Sequence, residues 1–218
     1  NGDVLRTFNL FNFEAGFNNA ALIVSDQNSF PGIDVARFGE NINTIADRAI
    51  FEGTSVIEQI DGACTMFERY YSVETIEGAR RATHYSIPYE AFREAVANAV
   101  AHRTWDVNAK IRIAMHPDHI EISSPGGLPA GLGRDEYLRG FISQLRNPIL
   151  ANVLFRLNII EMFGTGIVRI RSSYAEYEQK PEFDVSENAV RVTLPVTDAR
   201  PALTSDEELV YRFVKEEG

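Results

Sequence analysis

Between Pro88 and Arg103 the apolar positions Phe92, Ala95, Val96 and Ala99 recur at steps of three and four, which predicts a helix with one buried side. Beside them Glu94, Asn98 and His102 recur every four residues and form a polar stripe on the same helix. Pro88 suits a first helical turn because it has no N–H to lose there. Glu90 near the start, and His102 and Arg103 near the end, suit the helix dipole. The period changes downstream. Ile111, Ile113 and Met115 alternate with polar neighbours, Pro117-Asp118 marks a turn, and His119-Ile-Glu-Ile-Ser123 alternates again, which predicts a β-hairpin with one buried face. A second hairpin is predicted from Glu182–Ser186 and Ala189–Val196, where Val190, Val192, Leu194 and Val196 alternate.

The remaining stretches carry weaker patterns. Residues 1–17 have no clean period and read as irregular chain, with a short helix as the alternative. Ala20–Val24 is a short apolar run that suits a buried helix or strand equally. Asp26–Gly32 reads as a loop, Ile33–Phe38 as a strand, and Ala49–Glu52 as a second strand. Ser55 with Glu58 forms a capping-box pattern that opens a helix to about Tyr71, with Ile57, Ile60, Cys64 and Phe67 inward. Glu74–Ser86 reads as a polar connection. Gly126–Leu145 is a long segment with a short helix over 134–141, and long segments of this kind serve as lids or binding loops. Asn147-Pro148 starts a helix as side-chain cap and first-turn proline, with Ile149, Val153, Leu154 and Leu157 inward. A further helix follows from Gly166, with Ile167, Ile170, Tyr174 and Tyr177 inward, and Pro181 closes it. Residues 198–218 read as a linker and the first helix of another unit. This order predicts an α+β fold, a two-layer sandwich. Its mixed, mainly antiparallel sheet uses residues 110–116, 119–124, 182–186 and 189–196. The 88–103, 147–158 and 166–179 helices lie on one face, and a smaller N-terminal α/β segment precedes them.

Composition narrows the class. The chain has 218 residues, 44% hydrophobic and 24% charged, enough to bury a sizeable core. No apolar run approaches the ~20 residues of a membrane helix, and no secretion leader is read, so no membrane partner is expected. One cysteine, Cys64, excludes an internal disulfide framework and suits a reducing cytoplasm. The net charge of -10 opposes a broad nucleic-acid surface, so DNA contact is expected through flanking domains. The chain is expected to be a piece of a longer protein. His116 and His119 flank a turn with no cysteine nearby, which reads as a solvated turn rather than a metal site.

Two glycine turns remain. Ser124-Pro-Gly-Gly-Leu-Pro129 follows a strand, and Phe163-Gly-Thr-Gly-Ile167 opens a helix. Each alone reads as a tight turn that needs glycine for its shape. Taken in order with Glu94-Ala-Val-Ala-Asn-Ala-Val-Ala-His-Arg103, Arg146-Asn-Pro148 and Glu161-Met-Phe-Gly-Thr-Gly-Ile167, they form a pattern. It resembles the nucleotide-binding domain of the GHKL family, which includes gyrase-type topoisomerases, a heat-shock chaperone, histidine kinases and MutL repair proteins. The closer resemblance is to a branch labelled as transcriptional regulators or RecG-related ATP-dependent helicases. There a Schlafen/Alba-like domain comes first, the GHKL-like (Bergerat) domain second and often a winged helix last.

The resemblance implies three units here: 1–75 as the tail of the upstream domain and a junction helix, 76–197 as the GHKL-like ATPase domain, and 198–218 as the start of a winged helix. It implies ATP and Mg²⁺ as cofactors and a homo-oligomer. It assigns Glu94 as the catalytic base that activates water and Asn98 as the Mg²⁺ ligand. His102 either touches phosphate or braces a loop. Ser124, Gly126 and Gly127 would form one side of the nucleotide site. Gly164, Thr165, Gly166 and Ile167 would meet phosphates at a helix start, with Arg134, Arg139 and Arg146 as the candidate phosphate clamps. Two positions depart from the family. Ser124 stands where an aspartate accepts a hydrogen bond from the adenine amino group, and Leu128 stands where a glycine closes the box. Glu94 with Asn98 favours a slow Mg-dependent ATPase switch in a DNA-binding transcriptional regulator, and Ser124 favours a nucleotide-free dimerisation scaffold. A helicase motor is disfavoured, because no Gly-x-x-x-x-Gly-Lys-Ser/Thr loop occurs in the chain.

Overall fold

The structure, a computed structural model, describes residues 2–77, 80–140, 144–161 and 164–197. The linker and helix read at 198–218 lie outside the described residues. In chain order the elements are α1 (Gly2–Thr7), β1 (Phe11–Asn12), β2 (Gly16–Phe17), α2 (Asn19–Ile23), β3 (Ile33–Phe38), β4 (Ile45–Phe51), α3 (Val56–Tyr71), β5 (Ser72–Glu77) and β6 (Arg80–Tyr85). There follow α4 (Tyr89–His102), β7 (Ile111–Met115), β8 (His119–Pro125), α5 (Arg134–Arg139), α6 (Pro148–Arg156), α7 (Gly166–Ser173), β9 (Glu182–Val185) and β10 (Ala189–Pro195).

Alternation along the strands builds the main sheet, ordered β4-β3-β7-β8-β10-β9. Successive side chains point to opposite faces, so each alternating strand offers one apolar row. The register aligns these rows: Ile113 stands opposite Val35 and Ile122, Val192 opposite Ile122, and Leu194 opposite Ile120. All of these side chains are buried. The other face is polar and carries the ion pairs Arg48–Asp34, at 2.6 Å, and Arg191–Glu121, at 3.3 Å. The fold is therefore α+β, with a mixed sheet in which only the β3–β7 pairing is parallel.

Helix α4 packs against β8 and β10 and against α3, α6 and α7. Its alanines at 91, 95, 97, 99 and 101 are buried, as are Phe92, Val96 and Val100. Small side chains let several neighbours approach one helix closely, and a helix enclosed on most sides needs little polar surface. One core runs from Ile23 through α3, α4 and the sheet to Leu194. The sheet joins β3 and β4 to β7, β8, β10 and β9, and the core cluster includes residues from both groups of strands.

Several local expectations change. Residues 74–86 are not a plain polar connection: β5 and β6 pair as a hairpin from Ser72 opposite Tyr85 to Glu77 opposite Arg80. The hairpin stays largely exposed, with no buried face to write an alternating pattern. Residues 2–17 hold α1, a short helix, and the small β1–β2 hairpin, which the sequence pattern does not show. The 20–24 run is a helix, because the Asn18 side chain accepts from the Ala21 N–H at 3.0 Å and caps it. Helix α7 stops at Ser173, short of 179, and Tyr174 beyond it is buried with its hydroxyl donating to the Pro195 carbonyl at 2.9 Å. Asn147 does not cap α6. Its Nδ2 donates instead to the carbonyls of Ala101 and Arg103, both at 2.9 Å.

Arg103, at the end of α4, is 0% exposed. Its guanidinium donates to the carbonyls of Pro31 (2.8 Å), Val107 (3.3 Å) and Ala109 (2.6 Å) and lies 4.3 Å from the Trp105 ring centroid. Burial pushes its pKa down to about 10, which still leaves it charged at neutral pH. Arg103→Met should strand these carbonyls, each at about 1–3 kcal/mol. Urea unfolding of the variant should show a loss of about 3 kcal/mol or more, and an unchanged midpoint would contradict this role.

Candidate functional site

Helix α4 turns its polar stripe toward the start of α7. Glu94 is 4% exposed, and the Asn98 amide Nδ2 donates to its Oε1 at 3.1 Å. Gly166 opens α7 against this pair. A Cβ at Gly166 would strike the Asn98 amide nitrogen and lie 2.9 Å from Glu94 Oε1, so only glycine fits there without displacement. Gly164, two residues earlier, holds φ +68°, a conformation glycine adopts without strain. One turn further along, Arg169 donates to Thr165 Oγ1 at 3.3 Å and pairs with Glu161 at 3.4 Å. Burial raises the pKa of Glu94, while the Asn98 bond and the charges of Arg169 and Arg93 act against that rise.

The first glycine turn closes the other side. Ser124 is buried at the end of β8, and its hydroxyl donates to the Ala99 carbonyl of α4 at 2.8 Å. Gly126 has φ +99°, and a Cβ there would collide with the Thr104 side chain. A Cβ at Gly127 would strike the Glu187 carbonyl. Both turns therefore border one cavity of about 90 Å³, walled by Asn98, His102, Ser124, Gly126, Gly127, Gly164, Gly166 and Ile167. Glu94, Thr165 and Arg146 are not in that wall. Leu128, Pro129, Leu132, Tyr137 and Leu145, from the segment after the first turn, fill the rest. Small-molecule sites usually run from ~300 to ~1,000 Å³, so this one is occupied by its own cover.

His102 lines the cavity, and burial, with the nearby Arg146 charge, lowers its pKa, so the ring is neutral at physiological pH. Arg146 is turned away from the cavity and its Nη2 donates to the Gly127 carbonyl at 2.7 Å. It braces the glycine turn from behind. Sequence reasoning passed over Arg169 and Glu161. The signal was available in Arg169, which follows Thr165 by the four residues that bring side chains together on a helix. Among the described residues no group of three or more His, Cys, Asp or Glu could hold a metal, and His116 instead stacks on His119 at 4.5 Å. No described helix is long and apolar enough to cross a membrane.

Comparison with known proteins bears on this geometry. Residues 108–194 match the family model described as "Putative ATP-dependent DNA helicase recG C-terminal". The chain resembles the GHKL-like domain of the RecG-related family. The matched stretch holds both glycine turns and Arg146, and the Glu94–Asn98 helix lies before it. The crystal structure of the DIP2311 protein from Corynebacterium diphtheriae superposes with a TM-score of 0.75 at 23% identity, covering 89% of this chain and 40% of that one. That likeness is one of fold, and this chain spans well under half the length of that protein. No curated protein matches the sequence.

Two outcomes test the geometry. A carboxyl whose folded pKa is raised loses stability as pH rises through that pKa, so Glu94 burdens the fold at neutral pH and not in acid. Glu94→Gln should therefore raise the melting temperature at pH 8, and the gain should shrink toward pH 4. Gly166→Ala should lower the melting temperature by displacing Asn98 and Glu94; an unchanged value would mean that α7 does not seat on the pair.

Proposed function

We propose that this chain is an ATP-binding domain of the GHKL type with slow Mg-dependent hydrolysis, in a transcriptional regulator that meets DNA through flanking domains and acts as an oligomer. The observation that carries the proposal is Gly166 lying against both Glu94 and Asn98 at the edge of a cavity that Gly126 and Gly127 also border.

The residues present fit the phosphate and metal end of such a ligand. Asn98 spends its Nδ2 on Glu94, and its amide oxygen has no donor among the described residues, which leaves it for a hard cation. The three glycines form a cradle that side chains would fill. The N–H groups at the start of α7 offer a place for anions. When bound, Mg-ATP supplies the phosphoanhydride to be cleaved and the cation that offsets charge on its oxygens. In this reading Glu94 takes the proton of the attacking water. Burial raises its pKa, which makes the carboxylate a stronger base. Asn98 holds Glu94 in place, and Leu128, Pro129, Leu132, Tyr137 and Leu145, which line the cavity, exclude water from the bound phosphates.

The competing reading is a dimerisation scaffold that holds no nucleotide. Two observations favour it: the cover already fills the cavity, and Ser124 replaces the carboxylate expected to meet adenine. Thermal melting separates the two. A Mg-ATP analogue at about a hundred times its Kd should stabilise the chain by about 2.7 kcal/mol. Asn98→Ala should remove most of that shift, and Glu94→Ala should abolish phosphate release while binding persists. No shift in wild type, with no heat in a calorimetric titration, would leave only the scaffold.

A further inference from the structure

We propose, on the nucleotide reading of the cavity at the glycine turns, that Glu161 is an internal stand-in for phosphate. It holds the Arg169 guanidinium while the cavity is empty, and the polyphosphate of the nucleotide takes its place. Among the described residues the cavity wall has no lysine or arginine, and its one charged side chain is Glu161. His102 in the same wall is neutral. A polyphosphate entering there meets a carboxylate, with Glu94 close by, and like charges at short range repel. The site therefore needs a cation that can be brought to it.

Three arginines near the site are spent on backbone carbonyls: Arg146 on Gly127, Arg171 on Leu138 and Arg93 on Ile159. Arg169 differs in its partners. Its Nη2 lies 3.4 Å from Glu161 Oε1, and its Nε donates to Thr165 Oγ1 at 3.3 Å. One guanidinium thus spans both ends of the turn that holds Gly164 at φ +68°. Thr165 directly precedes the glycine that seats against Glu94 and Asn98. Both charges of the pair act on the Glu94 carboxyl, in opposite senses. The pair is built to be exchanged. Its separation is longer than the ~2.7–2.9 Å of a strong charged hydrogen bond. The two side chains are 49% and 41% exposed, and an ion pair so open to water contributes little. A phosphate offers the same fork more charge and more acceptor oxygens, in a shape that matches it. Once displaced, Glu161 can turn its carboxylate to water.

Calorimetric titration with a Mg-ATP analogue, at fixed ionic strength, tests the exchange, with melting curves to show that each variant is folded. Glu161→Gln removes the competitor and should tighten binding about threefold, the scale of a half-exposed ion pair. Arg169→Gln removes the cation and should weaken binding about tenfold or more, the scale of one lost charged hydrogen bond. Arg169→Lys keeps the charge and should recover part of that loss. When both residues are changed to Gln, the gain from Glu161→Gln should vanish, because no cation is left to release. A pair that only braced the turn would not give opposite signs for its two members. A gain that persists in the double variant would mean simple repulsion by Glu161 and would overturn the exchange. Equal affinities throughout, or weaker binding in Glu161→Gln, would overturn it too and leave the nucleotide reading standing. No heat with either wild type or Glu161→Gln would overturn the nucleotide reading and the exchange together.

Discussion

A helix enclosed on almost every side has to find partners for each polar group it carries, and α4 sets this constraint for the whole molecule. Its alanines admit the sheet beneath it and three helices around it. Several of the polar residues that remain have a defined recipient. Glu94 takes the Asn98 amide, Arg103 takes three carbonyls, and the helix's own last carbonyls take Asn147. Ser124 of the sheet bonds a carbonyl of the same helix. An unpartnered group at such depth would cost about as much as the interactions that hold a small domain folded can spare.

The enclosure also explains why the cavity lies where it does. Sheet and helices come together along α4 except where the two glycine turns pass, and there the absence of side chains leaves room. The room is taken by apolar residues of the segment after the first turn. These residues close over the cavity beside the Asn98–Glu94 pair. Binding affinity in such a site is set by the difference between the two occupants, so a cover that packs well lowers the apparent affinity of anything that replaces it.

The sequence made the buried parts of the fold legible. β7, β8 and β10 alternate cleanly because one side of each meets the core and the other meets water. The β5–β6 hairpin escaped notice for the converse reason: neither side is buried, so no period is imposed on it. Asn147-Pro148 carries every local mark of a helix cap, yet the side chain has stronger claimants in the α4 carbonyls 2.9 Å away. Arg103 falls on the apolar side of its helix, and sequence alone offers no sign of the three carbonyls that receive it, two from the turn that follows and one from the loop before β3. The same holds at the site. The stacking of Glu94 on Asn98 follows from helix geometry, whereas the turning of Arg146 away from the cavity depends on where Gly127 places its carbonyl.

The Ser124–Ala99 bond has a chemical consequence. A hydroxyl has a single hydrogen to give, and here a carbonyl of α4 has claimed it. Toward the cavity Ser124 is left with lone pairs only, the same polarity as a carboxylate without the charge. An amino or ring N–H edge can rest against it, and a keto oxygen would meet like with like. Any group that meets Ser124 from the cavity side therefore has to bring the hydrogen itself.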